Sequence, residues 1–172
     1  MLHHHGIEGL TTNRVAEVAG VSIGSLYQYF PNKQAIACAL IDRYHQRILE
    51  IVGAILLEAP SLDEICTRCV VGLHALERDR PVFAHLRLLR TAAGADDLIA
   101  AHLDDMVERA AAALCRLGVA EPVKARDVAY VIVHAGEGLA NAIARSKNVD
   151  PFRISTFYFD LVRRYFATTG LN

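Results

Sequence analysis

Between Gly20 and Phe30 the chain reads GVSIGSLYQYF, a stretch in which the polar side chains are hydroxyls and one amide, with no charge among them. If Leu26 and Phe30, four residues apart, form the buried face of a short helix, then Ile23, Gly24, Ser25, Gln28 and the hydroxyl tips of Tyr27 and Tyr29 stand outside. That set suits a groove lined by bases and phosphates. Gln can pair with adenine through two hydrogen bonds, Ser serves as donor or acceptor, an aliphatic residue presses on a thymine methyl, and Gly lets the backbone come close to the duplex. Two other groupings carry possible chemistry. His134 and Glu137 sit at i, i+3 and could hold a metal, and Cys66 and Cys69 form a C-x-x-C. The C-x-x-C lies within the helical pattern SLDEICTRCVVGLHAL, with no second pair and no βαβ context, which favours reduced, inert thiols, as a cytoplasmic chain would keep them.

The elements that must position these residues are all helices, because helical caps and breakers recur throughout the chain. Thr11 and Thr12 can cap a first helix carrying Val15, Ala16, Val18 and Ala19, which stops at Gly20. Ser22 can cap a second, running from Ile23 to about Tyr29. A long helix opens near Lys33 and carries Ile36, Leu40, Ile41, Tyr44, Ile48, Ile51, Val52 and Ile55 to about Glu58. Ser61 and Glu64 form a capping box for the next, which ends near Glu77 to Arg80. Pro81 opens a short helix through about Leu89, closed by Gly94, and Asp96 and Asp97 start another that ends at Gly118. Pro122 opens a segment that is apolar on nearly every face. Asp150 and Pro151 begin the last helix, in which Ile154, Phe157, Tyr158, Leu161, Val162, Tyr165 and Phe166 fall at helical spacing before Gly170.

The segment GLTTNRVAEVAGVSIGSLYQYFPNK, Gly9 to Lys33, resembles the DNA-binding half of the TetR family of bacterial transcriptional repressors. The shared signature is T-T, then A-x-x-A-G-V-S-x-G-x-L-Y-x-Y-F, then a Lys opening the next helix; it fixes some dozen positions and covers about Gly6 to Leu40. The resemblance implies an all-α fold, with a helix-turn-helix DNA-binding head at residues 1–46 and a helical ligand-binding and dimerisation body at 47–172. It casts Thr12, Tyr27, Tyr29 and Lys33 as phosphate clamps, and turns Ser22, Ile23, Gly24, Ser25 and Gln28 toward base edges. Its partners would be a palindromic double-stranded DNA operator, a second copy of the chain and a small-molecule effector of unknown identity, largely apolar, with no cofactor and no metal. In this family the last two helices of each subunit form a four-helix dimer interface. Here that role falls to Val128, Ile132, Gly136, Leu139 and Ile143 on one helix and Phe157, Leu161 and Tyr165 on the other. Family heads begin with a further helix of about fifteen residues, whereas only Leu2, His3, His4 and His5 stand between Met1 and Gly6. A head lacking most of that helix is therefore expected, with Val15, Val18, Leu26 and Phe30 left partly in water at roughly 1.5 to 3 kcal/mol for each large side chain exposed. His3 to His5 fit either the last turn of that helix or a tag remnant.

Polar residues on otherwise apolar faces, His74, His85, His102, His134, Glu137 and Asn141, are candidates for a ligand cavity, with Tyr44, Phe83, Met106 and Tyr130 as its walls. The bland reading is that each is a satisfied core or interface group. Composition narrows the rest. The chain has 172 residues, 53% of them hydrophobic, and a net charge of −1, so any nucleic-acid affinity is local. Even in the first 47 residues Arg14, Lys33, Arg43 and Arg47 oppose Glu8, Glu17 and Asp42, leaving a net +1. Apolar runs such as Ile51 to Leu57 fall far short of the ~20 residues of a membrane span, which points to the cytoplasm and to no membrane partner. The competing reading is a helical metal-binding or redox protein, or a small enzyme, using His134 and Glu137 or Cys66 and Cys69. No activated nucleophile, Gly-rich phosphate loop or H-E-x-x-H supports it.

Overall fold

The computed structural model describes residues 11–76, 86–87, 89–146 and 148–168. Within these, seven α-helices follow one another: α1 (Thr12–Ala19), α2 (Ile23–Tyr29), α3 (Lys33–Glu58), α4 (Leu62–Ala75), α5 (Asp96–Arg116), α6 (Pro122–Arg145) and α7 (Pro151–Thr168). The expected caps set the starts. Thr11 Oγ1 accepts the Arg14 N–H at 3.3 Å, Ser22 Oγ that of Ser25 at 3.0 Å and Ser61 Oγ that of Glu64 at 3.2 Å. At the Ser61 box the Glu64 carboxylate is engaged by Arg68 Nε at 2.7 Å. Pro122 occupies the first turn of α6, and Asp150 Oδ1 accepts the N–H groups of Phe152 and Arg153 at the start of α7. Helix α1 ends at Gly20, whose φ of 67° lets the chain reverse with its N–H on the Glu17 carbonyl. Helix α4 stops at Ala75, before the Glu77 to Arg80 stretch expected to end it. The helix expected from Pro81 lies almost wholly outside the described residues, as do Gly170 and His3 to His5.

The head has a core of its own in which Ala16, Leu26 and Ile36 are buried, with Val15, Phe30 and Leu40 partly buried around them. The start of α3 thus supplies the third wall for α1 and α2. Of the four side chains expected to remain partly in water, Leu26 is buried and Val15 and Phe30 are half-buried, while Val18 stands 64% exposed on the outer side of α1. Val15 and Leu40 also pack on a second cluster, built on Ile41, Leu86, Ala95 and Ile99, which joins the head to the body. Helix α3 passes residue 46 without interruption.

In the body, α5 lies between α3 and α6, and α4 packs between α3 and α7. Arg116, in the last turn of α5, donates to the carbonyls of Leu56 and Ala59 at 2.8 and 2.9 Å, which satisfies the open C-terminus of α3. Helices α6 and α7 touch only lightly; the Tyr158 hydroxyl reaches across to donate to the Ile132 carbonyl. The space left by that light contact becomes part of an interior cavity.

Candidate nucleic-acid interface and interior cavity

The outward face of the head is built by two caps and one tertiary hydrogen bond. Leu26 points into the head core, which turns Ile23, Gly24, Ser25, Tyr27, Gln28 and Tyr29 outward together with Ser22 and Lys33; Tyr29 is 79% exposed. Thr12 is half-buried, and its Oγ1 lies 3.2 Å from the Tyr27 hydroxyl, joining the start of α1 to the middle of α2. Ser22 Oγ caps α2 and lies 2.9 Å from Ser25 Oγ, so those two hydroxyls are held as a pair. A Cβ placed on Gly24 would meet only Ser22 Oγ, at 3.8 Å, so nothing within the head requires glycine there. Arg14 is tied to Glu17 at 2.9 Å, which leaves the face dominated by neutral donors. Neutral hydroxyls, amides and helix N-terminal N–H groups are competent phosphate ligands.

The cavity has a volume of about 250 Å³ and is lined by α3 to α7 together with Arg87. Its walls are apolar: Ile48, Val52 and Leu56 from α3, Ile65, Cys66 and Cys69 from α4, Leu103 and Met106 from α5, Ile132, Gly136, Leu139 and Ile143 from α6, and Phe159 and Val162 from α7. One end is polar, made by Tyr44, His45, Arg87, His102 and Glu137. There Arg87 donates to Glu137 at 2.7 Å and to Asn141 at 2.8 Å and lies over the Tyr44 ring, 5.9 Å from its centroid. Arg90 adds a longer contact to Glu137 at 3.8 Å. Burial works against the charge on Arg87, but Tyr44 and Glu137 overcome it and its pKa is raised. Burial likewise raises the Tyr44 phenol and lowers the His45 imidazole, keeping both neutral at pH 7.

Of the residues expected to line a ligand site, Tyr44, His102, Met106 and Glu137 do so, and Asn141 sits behind them, donating to Glu137 at 3.0 Å. Three do not line it. His74 packs edge-on against Phe152, with ring centroids 4.8 Å apart. Tyr130 is exposed and stacks on His134 at 4.0 Å, whose Nδ1–H donates to the Tyr130 carbonyl, because this part of α6 faces outward. Phe83 and His85 lie outside the described residues. His45 and Arg87, which the sequence did not single out, belong to the polar end. His45 falls on the Ile41–His45–Ile48–Val52 stripe of α3 and could have been found there; Arg87 is explained only by Glu137, fifty residues away.

The competing metal and redox reading loses its geometry. His134 serves Tyr130 while Glu137 serves Arg87, and among the described residues no group of three or more His, Cys, Asp or Glu side chains could hold a metal. Burial pushes the Cys66 thiol up to about 11 and the Cys69 thiol up to about 12, far from thiolate chemistry at neutral pH. No described helix is long and apolar enough to cross a membrane.

The expected interface residues divide. On α7, Phe157 and Leu161 are 61% and 67% exposed, and Tyr165 is exposed as well. On α6 the expectation is corrected: Ile132, Gly136, Leu139 and Ile143 face the cavity, and Val128 packs on the core. A Cβ on Gly136 would come within 3.4 Å of the Tyr158 hydroxyl. The outward stripe of α6 is instead Val131, Ala135, Gly138 and Ala142, and a Cβ on Gly138 would meet nothing within 4 Å.

Comparison with known proteins places this arrangement in a class. Residues 1–40 match the family described as bacterial regulatory proteins, tetR family. The nucleoid occlusion factor SlmA of Haemophilus ducreyi (strain 35000HP / ATCC 700724) is 43% identical over 49 residues, which is 28% of this chain and 24% of the relative. SlmA of Haemophilus influenzae (strain PittGG) is 42% identical over 55 residues, 31% of this chain and 25% of the relative. The chain thus spans about a quarter of the length of the curated relatives it matches. Among solved structures, the TetR family repressor AlkX from Dietzia sp. strain DQ12-45-1b, implicated in biodegradation of n-alkanes, superposes with a TM-score of 0.63 at 20% identity, covering 97% of this chain and 90% of that one. The first 40 residues thus carry the sequence of the tetR family of bacterial regulatory proteins, and the helices of the chain have the arrangement of a TetR-family repressor.

Proposed function

We propose that the protein is a dimeric, ligand-responsive transcriptional repressor that binds a palindromic double-stranded DNA operator. Residues 1–46 form the reading head, and residues 47–172 bind an effector and a second copy of the chain. The observation that carries this reading is helix α3. It begins at Lys33, beside the outward face of α2, and continues past Tyr44, His45 and Ile48, which line the cavity. Its 26 residues span about 39 Å at 1.5 Å per residue, so one rigid element touches both the proposed DNA face and the proposed effector site. A ligand that prefers one tilt of α3 shifts the population of heads able to fit successive grooves, and operator DNA must weaken that ligand by the same factor.

Within the head, Thr12, Tyr27, Tyr29 and Lys33 serve as phosphate clamps, while Ser22, Ile23, Gly24, Ser25 and Gln28 approach base edges. The dimer forms through Phe157, Leu161 and Tyr165 of α7 and the outward stripe of α6, where Ala135, Gly138 and Ala142 permit close approach of a partner helix. An apolar cavity is compatible in kind with the implication of AlkX in n-alkane biodegradation. The SlmA relatives match over a head-sized stretch, so their nucleoid occlusion role is not carried over.

The test is fluorescence anisotropy with duplex DNA from the region flanking the chain's own gene. Specific, salt-dependent binding is expected. Tyr27→Phe should weaken it similarly on all sequences, whereas Gln28→Ala should relax preference at one base pair and cost ~1 to 3 kcal/mol there. Identical selectivity for wild type and Gln28→Ala would remove the base-reading role, and no binding to any duplex would remove the repressor reading.

A further inference from the structure

Two buried nitrogen atoms at the polar end of the cavity, His45 Nε2 and His102 Nδ1, have no hydrogen-bond partner among the described residues. His45 is 6% exposed, and its ring stacks on that of His102 with centroids 5.8 Å apart and planes 3° from parallel. The protonation of His45 can be read from its other nitrogen. Nδ1 lies 3.0 Å from the Ile41 carbonyl oxygen, which can only accept, so Nδ1 carries the hydrogen. Burial opposes a second proton on this ring. Nε2 is therefore a bare lone pair on the side of the ring turned away from its own backbone, and a buried acceptor without a donor is rare in native proteins. His102 Nε2 lies 3.3 Å from the Asp42 carboxylate and so carries hydrogen, which leaves Nδ1 as the second open atom.

We propose that the cavity takes a small, largely apolar alcohol whose hydroxyl donates to His45 Nε2. The inference rests on the reading of the cavity as the effector site and names the ligand's chemistry. An alcohol supplies the missing donor. A carboxylate brings no hydrogen and would set its charge against the His45 lone pair and Glu137. The cation beside it, Arg87, is already held by Glu137 and Asn141. An ammonium would find Glu137 engaged in the same way. Ethers, ketones and alkanes leave Nε2 unmet. The volume of about 250 Å³ leaves room for a medium-length alkyl chain.

The experiment compares heptan-1-ol, its isomer hexyl methyl ether and heptanoate by calorimetric titration of the whole chain, with the shift in Tm as a second readout. The ether matches the alcohol in size and oxygen content and lacks only the donor. The alcohol should bind about ten-fold tighter than either alternative, in line with one well-formed hydrogen bond to a buried acceptor. His45→Phe should bring alcohol and ether within about two-fold, and His45→Gln, which keeps a buried acceptor, should retain the preference. Equal affinity for alcohol and ether in wild type, tighter binding of heptanoate, or a preference that survives in His45→Phe would overturn the headgroup assignment while leaving the cavity as a binding site. Failure of all three probes to bind up to their solubility would overturn the effector reading of the cavity along with it.

Discussion

The head and the body dispose of their polar side chains in opposite ways. In the head, hydroxyls and an amide stand outside, and among the described residues Ala16, Leu26 and Ile36 form the buried core between the two short helices and α3. In the body, Tyr44, His45, Arg87, His102 and Glu137 are gathered inside, at one end of a cavity whose other walls are apolar. The exposed set costs little to maintain, because water satisfies it when nothing is bound. The interior set must satisfy itself, and Arg87, Glu137 and Asn141 do so through charge-assisted hydrogen bonds. Local stability should therefore be unequal: the head rests on few apolar contacts, whereas the body's polar end is held by one interdependent cluster.

The largest effect is expected where that cluster is broken. Arg87→Met leaves Glu137 buried with little compensation and should destabilise the body by about 3 kcal/mol in urea denaturation. Arg87→Met combined with Glu137→Leu should recover much of that loss. A double variant as unstable as the single one would show that packing around Arg87, not its charge, holds this end together.

Next is the head core. Leu26→Ala removes the largest side chain that α2 contributes to it and should cost about 2 to 3 kcal/mol locally. Hydrogen exchange should accelerate from Thr12 to Tyr29 and stay slow in α5 and α6. Acceleration throughout the chain would mean that head and body unfold as one unit and would dissolve the contrast drawn between them.

A third measurement probes the outward faces. Leu161→Glu places a charge amid the exposed apolar side chains of α7 and should turn a dimer into a monomer in light scattering at micromolar concentration. The same change at a solvent-facing position of a monomeric protein would leave the mass unchanged, and a wild-type chain that already scatters as a monomer would remove the interface.

The smallest effect is in pH. The unfolded His45 ring takes up its proton near pH 6.5, whereas the buried ring, facing Glu137, Arg87 and His102, resists it. The unfolded state thus binds more protons just below that pH, so the His45 contribution is intact above 6.5 and declines through the acidic interval below it. His45→Phe should show a shallower loss of Tm over that interval. Identical slopes in the two proteins would assign the loss to other groups.

How much of this could be read beforehand follows from the range of the interactions. The caps at Thr11, Ser22 and Ser61, the stop at Gly20 and the Pro122 start are settled within three or four residues, and each appears where the sequence placed it. The outward face of α2 follows equally directly, because Leu26 and Phe30 fix the helix's phase and leave the other residues no choice. Helix α6 offered no such phase. With apolar residues on nearly every side, its sequence was equally compatible with Ile132 and Gly136 facing outward and with Val131 and Gly138 doing so; only its packing against α5 and the Tyr158 hydroxyl decided between them. The polar end of the cavity was hidden for the same reason. Arg87 and Glu137 are fifty residues apart, and His45 meets His102 across two helices. Residue order alone was thus enough for the helices, their ends and the face of the head, since local hydrogen bonds and one-sided periodicity specify them. Which faces turn inward in the body, and which polar groups meet there, was left to the packing of the helices, because burial and pairing at long separation exist only once they have docked.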